Sequence, residues 1–193
     1  MTDAQEAFGR GGGFSPADWG TPWPLFRAVD ARFRFTLDPC ATAENTKVPE
    51  RFFSPEQDGL RQDWGGVGTV AWVNPPYGRG TPLWMEKAIR EAGKGATVVF
   101  LVFVRSDTTW WHASVTKAAE VWLLRGRVKF TRPGMPDAGA PMPSCLVVFT
   151  PASVRADAPG PRLGHWWPGR GAAPSAPPEP APVQWGELQP DAR

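Results

Sequence analysis

The sequence predicts an α/β fold: a mostly parallel sheet with helices on both faces and an antiparallel hairpin at one edge. Three observations carry that reading. Short runs rich in β-branched and aromatic residues, at 35–37, 69–73 and 97–104, alternate with stretches whose apolar residues recur at helical spacing. After an opening threonine the second and third runs are apolar throughout, as strands buried on both faces are. Each run gives way to a polar residue: Asp38, Asn74 and Arg105. Parallel strands bring those three side chains to one rim, and the carboxyl rim of an open α/β sheet is where ligands bind.

The elements follow in order. Residues 1–18 are polar and glycine-rich and read as a flexible arm. Leu25, Phe26, Val29 and Phe33 have helical spacing, with Thr21 as the expected cap and Pro22 at the first helical position. Residues 35–37 form the first core strand, and 51–53 a further short one. Asp58-Gly59 is a turn signal. Thr81 and Pro82 open a helix that Gly93 ends. Residues 97–104 are the clearest buried strand, 109–119 a helix and 120–124 a strand. Residues 128–130 and 145–149 pair as the antiparallel edge hairpin, with 131–143 a Pro/Gly-containing loop between them. From 151 to 193 the chain is rich in Pro, Ala and Gly. That composition buries too little surface to offset ordering entropy, so a disordered tail is expected. Within it His165-Trp166-Trp167 reads as an unstructured aromatic patch, with a short docking motif as the alternative. The organisation is thus an arm (1–18), one domain (19–150) and a tail (151–193).

Composition narrows the function only slightly. The 193 residues allow one domain with some chain left over, and an apolar fraction of 41% suffices for a core. The net charge of +2 does not announce a nucleic-acid partner. Local clustering says more: Arg125, Arg127, Lys129 and Arg132 form a basic stripe. Two cysteines make neither a disulfide framework nor a metal site, and reduced thiols in a cytoplasm are the default. Neither a signal peptide nor an apolar run of membrane length is present, so a cytoplasmic protein away from membranes is expected. A monomer is the separate expectation for its assembly.

The chemistry concentrates at Asn74-Pro75-Pro76-Tyr77, directly after the run 69–73. Asn74 offers a side-chain carbonyl acceptor. Pro75 has a fixed φ and presents its own carbonyl rigidly. Together they can accept both protons of an exocyclic amine. Tyr77, the single tyrosine of the chain, supplies an aromatic face for a base, worth roughly 1–3 kcal/mol. A plain Pro-Pro turn ending a strand is the structural alternative.

This tetrapeptide after a strand resembles the amino-methyltransferases that use S-adenosylmethionine. With Thr21-Pro22, Leu25-Phe26, residues 35–41, Asp58-Gly59-Leu60, Asp63-Trp64, Arg105, Trp110-Trp111-His112 and 126–130, the chain resembles the phage-type DNA N6-adenine methyltransferases, the Dam-like family of phages and prophages, over about residues 19–150. The resemblance implies a Rossmann-like methyltransferase fold, S-adenosylmethionine as cofactor and double-stranded DNA as partner. It places Trp19, Thr21, Pro22, Asp38, Cys40, Ala41, Asn74 and one of Asp58 or Asp63 at the cofactor. Taken alone, Asp58 and Asp63 each read first as solvated loop acids, and Asp38 has the alternative of a turn residue before Pro39. Arg79, Arg105, Arg125, Arg127, Lys129 and Arg132 are the expected phosphate contacts. Some of the eleven tryptophans are expected to meet bases or the sulfonium. One departure stands out: residues 39–42 lack the Gly-x-Gly that many such enzymes place after the first strand. The implied reaction is methyl transfer to N6 of an adenine flipped out of the duplex, with positioning as the main catalytic task. The same chemistry on RNA or a protein glutamine, and a non-catalytic DNA-binding protein of this fold, are the alternatives.

Overall fold

A computed structural model describes residues 19–132 and 135–166. Helix α1 (Trp23–Phe33) precedes strand β1 (Val70–Val73), helix α2 (Thr81–Gly93) and strand β2 (Thr97–Phe103). Helix α3 (Thr109–Val115), strand β3 (Glu120–Leu124), the hairpin β4 (Lys129–Arg132) and β5 (Met135–Gly139), β6 (Ser144–Phe149) and β7 (Arg162–Trp166) complete the order. The main sheet runs β1-β2-β6-β3-β7. β1 and β2 are parallel, β6 is antiparallel to both β2 and β3, and β7 is parallel to β3. Four strands therefore point one way and β6 the other, giving a mixed α/β fold with a mostly parallel sheet.

Residues 35–38 extend this sheet beyond β1. The Thr36 amide donates to the Val70 carbonyl at 2.8 Å and the Trp72 amide to the Leu37 carbonyl at 2.9 Å. On their other side Asp38 bridges Phe52 in parallel. The predicted convergence follows: Asp38, Asn74 and Arg105 leave three parallel segments at one rim. β3 points the same way, so Arg125 reaches that rim as well.

Both sheet faces are covered, because the strands are apolar on both. Leu25, Phe26 and Val29 of α1 pack with Trp72, Val99 and Leu101. Met85, Ala88 and Ala92 of α2 pack with Val73, Val98 and Phe100 on the opposite face. Phe100 is fully buried, so truncating it to Ala costs about 3–5 kcal/mol.

Four sequence expectations are corrected. Residues 145–149 do not form an edge hairpin with 128–130; β6 lies between β2 and β3. An isolated apolar run cannot tell which neighbour it will pair with. Residues 131–143 are not a plain loop, because β4 and β5 form their own antiparallel hairpin. The tail is not unstructured from 151, because Arg162–Trp166 adds β7 to the sheet edge and buries Trp166. Gly164 is there for packing: a Cβ would come within 2.5 Å of the Trp122 ring. Finally, Thr21 does not cap α1; Pro22 occupies the N-cap position without a side-chain bond. The arm 1–18 and the chain after 166 lie outside the described residues.

Candidate active site

Asn74 leaves β1 at the rim with both ends of its amide engaged. Its Nδ2 donates to the Trp19 carbonyl at 2.8 Å, and its Oδ1 accepts from the Tyr77 hydroxyl at 2.9 Å. That network fixes which amide atom is oxygen. The Tyr77 hydroxyl also approaches the Leu101 carbonyl at 3.3 Å. Its ring stacks on Phe103 at 4.0 Å and 11°, and meets Phe130 of β4 edge-on at 5.6 Å. The hairpin is thereby anchored beside the tetrapeptide. Burial pushes the Tyr77 phenol well above its usual value, so it stays a neutral donor. Pro75 is buried, and among the described residues its carbonyl accepts no hydrogen bond.

Two cavities flank this tetrapeptide. The first is small and polar, with a void of about 10 Å3, and Trp19, Thr21, Asp38, Lys47, Trp72 and Asn74 contribute to its wall. The strap 19–21 closes it, held by a backbone pair between Gly20 and Thr131 of β4 at 2.8 and 3.0 Å. The second is an open cleft of about 160 Å3, walled by Phe53, Pro55, Asp58, Pro76 and Trp84 among others. Cys40 and Ala41 line both. Gly59 lets the chain approach them closely, since a Cβ there would overlap the Pro39 carbonyl.

Asp38 is 3% exposed. Its carboxylate accepts the Lys47 amide at 3.1 Å and the Thr46 hydroxyl at 3.5 Å. Burial pushes its pKa up to about 6, against the Lys47 and Cys40 amides and the Lys47 charge, which pull it down. Burial and the Asp38 charge hold the Cys40 thiol well above its usual range, against the Asn74 backbone amide. Cys40 is therefore a neutral wall and no nucleophile. Asp58 borders the cleft with φ of 53°, an uncommon conformation that Asp tolerates better than most residues.

The structure thus brings Trp19, Thr21, Asp38, Cys40, Ala41 and Asn74 together at the polar cavity, and Asp58 and Pro76 at the cleft. Two expected cofactor residues fall elsewhere. Pro22 serves the start of α1. Asp63 is highly exposed, 3.7 Å from Lys94 beyond α2 and bonded to the Gly65 amide, near the amino end of β1 and β2. Sequence reading missed Lys47, Phe53, Trp72 and Trp84. Each looked like a loop or core residue; long-range pairing of 51–53 and 69–73 with 35–38 places Phe53 and Trp72 at the cavities, the bond of the Lys47 amide to Asp38 places Lys47 there, and the packing of α2 on the sheet places Trp84.

Among the expected phosphate contacts, Arg79 is exposed on the loop after Tyr77, and Arg125, Arg127 and Lys129 are exposed at the hairpin base. Arg105 reaches the rim but is doubly bonded to Asp107 at 3.0 and 3.1 Å. The backbone of Arg132 ends β4; its side chain lies outside the described atoms. Among the described residues, no cluster of His, Cys, Asp or Glu could hold a metal ion, and no helix is long and apolar enough to cross a membrane.

The sequence profile described as DNA N-6-adenine-methyltransferase (Dam) matches residues 16–157. The chain is 35% identical over 138 residues to the DNA N-6-adenine-methyltransferase of Haemophilus phage HP1 (strain HP1c1), covering 69% of this chain and 78% of that protein. It is 32% identical over 107 residues to the DNA N-6-adenine-methyltransferase of Escherichia phage T1, covering 54% of this chain and 44% of that protein.

Proposed function

The chain belongs to the DNA N-6-adenine-methyltransferase (Dam) family, and from that premise we propose that it methylates N6 of an adenine flipped out of duplex DNA, with S-adenosylmethionine as the methyl donor. The observation that carries this reading is the position of the tetrapeptide between the two cavities. Asn74 walls the polar one, Pro76 walls the cleft, and the two share Cys40 and Ala41. The donor's two halves match that division. The buried Asp38 carboxylate suits an ammonium, the flat apolar surfaces of Phe53, Pro55 and Trp84 suit a purine, and Asp58, on the same cleft, is assigned to the adenosine half.

The donor, when bound, supplies a methyl group on a sulfonium. The remaining tasks fall to residues of this chain. Asn74 Oδ1 has two lone pairs, so it can accept an amine proton while keeping the Tyr77 hydroxyl. The Pro75 carbonyl takes the other amine proton. Both acceptors draw the adenine nitrogen toward tetrahedral geometry and raise its reactivity. Phe103 backs one face of Tyr77; the other is assigned to the flipped base. No general base is assigned, because the methylated amine is acidic and loses its proton to solvent. Arg79, Arg105, Arg125, Arg127, Lys129 and Arg132 hold phosphates, so that the hairpin β4–β5 sits against the duplex.

The strand directions support a Rossmann-like methyltransferase fold, with a catalytic domain running from 19 through β7. The reading has the chain act as a monomer in the bacterial cytoplasm. Labelled methyl transfer from S-adenosylmethionine to purified duplex DNA, RNA and protein tests it. Label confined to N6-methyladenine in DNA is the expected result. Label in RNA or protein, and none in DNA, overturns it.

A further inference from the structure

Trp72 and Thr21 wall the polar cavity, are almost wholly buried, and leave Nε1 and Oγ1 without any hydrogen-bond partner among the described residues. Buried polar atoms are nearly always paired, and each exception calls for a cause. Neither residue belongs to the tetrapeptide. Trp72 lies two residues before Asn74 on β1, and its ring is fixed by Phe26 at 5.6 Å and Phe35 at 5.3 Å. An indole N–H only donates, so its partner must be an acceptor. The nearby acceptor, Asp38, takes its bonds from Lys47 and Thr46 instead. Lys47 also borders the cavity. An indole donor and a hydroxyl beside one carboxylate complement a zwitterion: the donors meet its carboxylate and Asp38 its ammonium, while the Lys47 ammonium lies over the Trp23 ring at 4.5 Å.

We propose that Trp72 Nε1–H, with the Thr21 hydroxyl, binds the carboxylate of the methyl donor's amino acid end. The inference rests on the donor reading above and adds to it a determinant on the motif strand itself. Because the void is about 10 Å3, room for about one water, the strap 19–21 moves outward when that end enters.

Calorimetry on the full chain with two ligands tests it. S-adenosylhomocysteine carries the amino acid end; 5′-methylthioadenosine lacks it. Trp72→Phe keeps a ring and removes the N–H. It should weaken S-adenosylhomocysteine roughly 10- to 100-fold, the range for a hydrogen bond to a charged group, and leave methylthioadenosine unchanged. Thr21→Val should do the same to a smaller degree. Equal losses for both ligands, or no loss for either, overturn the proposal. A wild-type chain that binds neither ligand overturns the donor reading itself. Should Trp72→Phe fail to fold, Thr21→Val and the 15N-indole spectrum of the wild-type chain decide. One indole proton should shift downfield with S-adenosylhomocysteine and stay in place with methylthioadenosine; an unmoved spectrum contradicts the proposal.

Discussion

Two buried carboxylates mark opposite ends of the sheet, and they are buried for different reasons. Asp38 sits at the cavity rim, receives backbone amides and a hydroxyl, and has its pKa raised to about 6 by burial. Glu120, on β3, is 5% exposed. It accepts from both terminal guanidinium nitrogens of Arg32 at 2.9 and 2.7 Å, from Arg162 at 2.7 Å and from the Trp122 indole at 2.8 Å. Burial pushes Glu120 up, but Arg32, Trp122 and Arg162 outweigh it and hold the group below the usual carboxylate range. Glu120 is satisfied and joins α1 and β7 to β3. Asp38 has no ion pair of that kind: it borders a cavity, with the Lys47 charge near it but no guanidinium or ammonium bonded to its carboxylate among the described residues. The partners, not the burial, separate a structural acid from one that, on the proposed reading, receives an ammonium.

Exchange of each acid for its amide should therefore split affinity from stability. Asp38→Asn should weaken S-adenosylmethionine binding on the order of 100-fold, since a charged partner is lost. Its melting temperature at pH 7.5 should hold or rise. The folded pKa lies above the unfolded 3.8, so Asp38 favours the fold at low pH, and that contribution is lost as pH rises through about 6. The penalty above that point is up to roughly 3 kcal/mol, which the amide removes. Glu120→Gln should do the reverse. It should lose about 2–4 kcal/mol of stability, somewhat under the usual cost of breaking a buried ion pair because both arginines retain some solvent. Donor affinity should stay unchanged. Matching effects in the two variants would erase the distinction.

The rim was legible in the sequence because strands 69–73 and 97–104 carry continuous apolar runs that end in polar residues. The far edge was not. β7 reads Arg-Leu-Gly-His-Trp, without an apolar run. It is held by pairing to β3, by Arg162 on Glu120 and by a glycine that admits Trp122. Those are non-local facts. In the same way Asp58 and Asp63 were equivalent in sequence, five residues apart. Only the fold sends one to the cleft and the other to the amino end of the sheet.

The comparison sharpens with pH. In the free chain Asp38 must ionise to receive an ammonium. Affinity for S-adenosylmethionine should fall about tenfold between pH 7 and pH 5, with a break near 6 in the wild type and none in Asp38→Asn. Glu120, whose pKa is lowered, should add no break in that window. A flat wild-type profile would show that Asp38 carries no linked proton.

The smallest effect concerns the hairpin base. Arg127→Ala or Lys129→Ala should each weaken DNA binding across all sequences and reduce the slope of log affinity against log salt by about 0.9. Arg162→Ala, on an exposed edge but bound to Glu120, should leave that slope unchanged.

The central claim is that Asn74 presents an adenine amine to a methyl donor held beside it. Expression of the full chain and of Asn74→Ala in a methylation-deficient host, followed by modification-aware sequencing of the host DNA, tests it most directly. N6-methyladenine in the host DNA with the wild-type chain, and a loss of at least tenfold with Asn74→Ala, is the predicted result. Undiminished methylation by Asn74→Ala, or no N6-methyladenine from the wild-type chain, would contradict it.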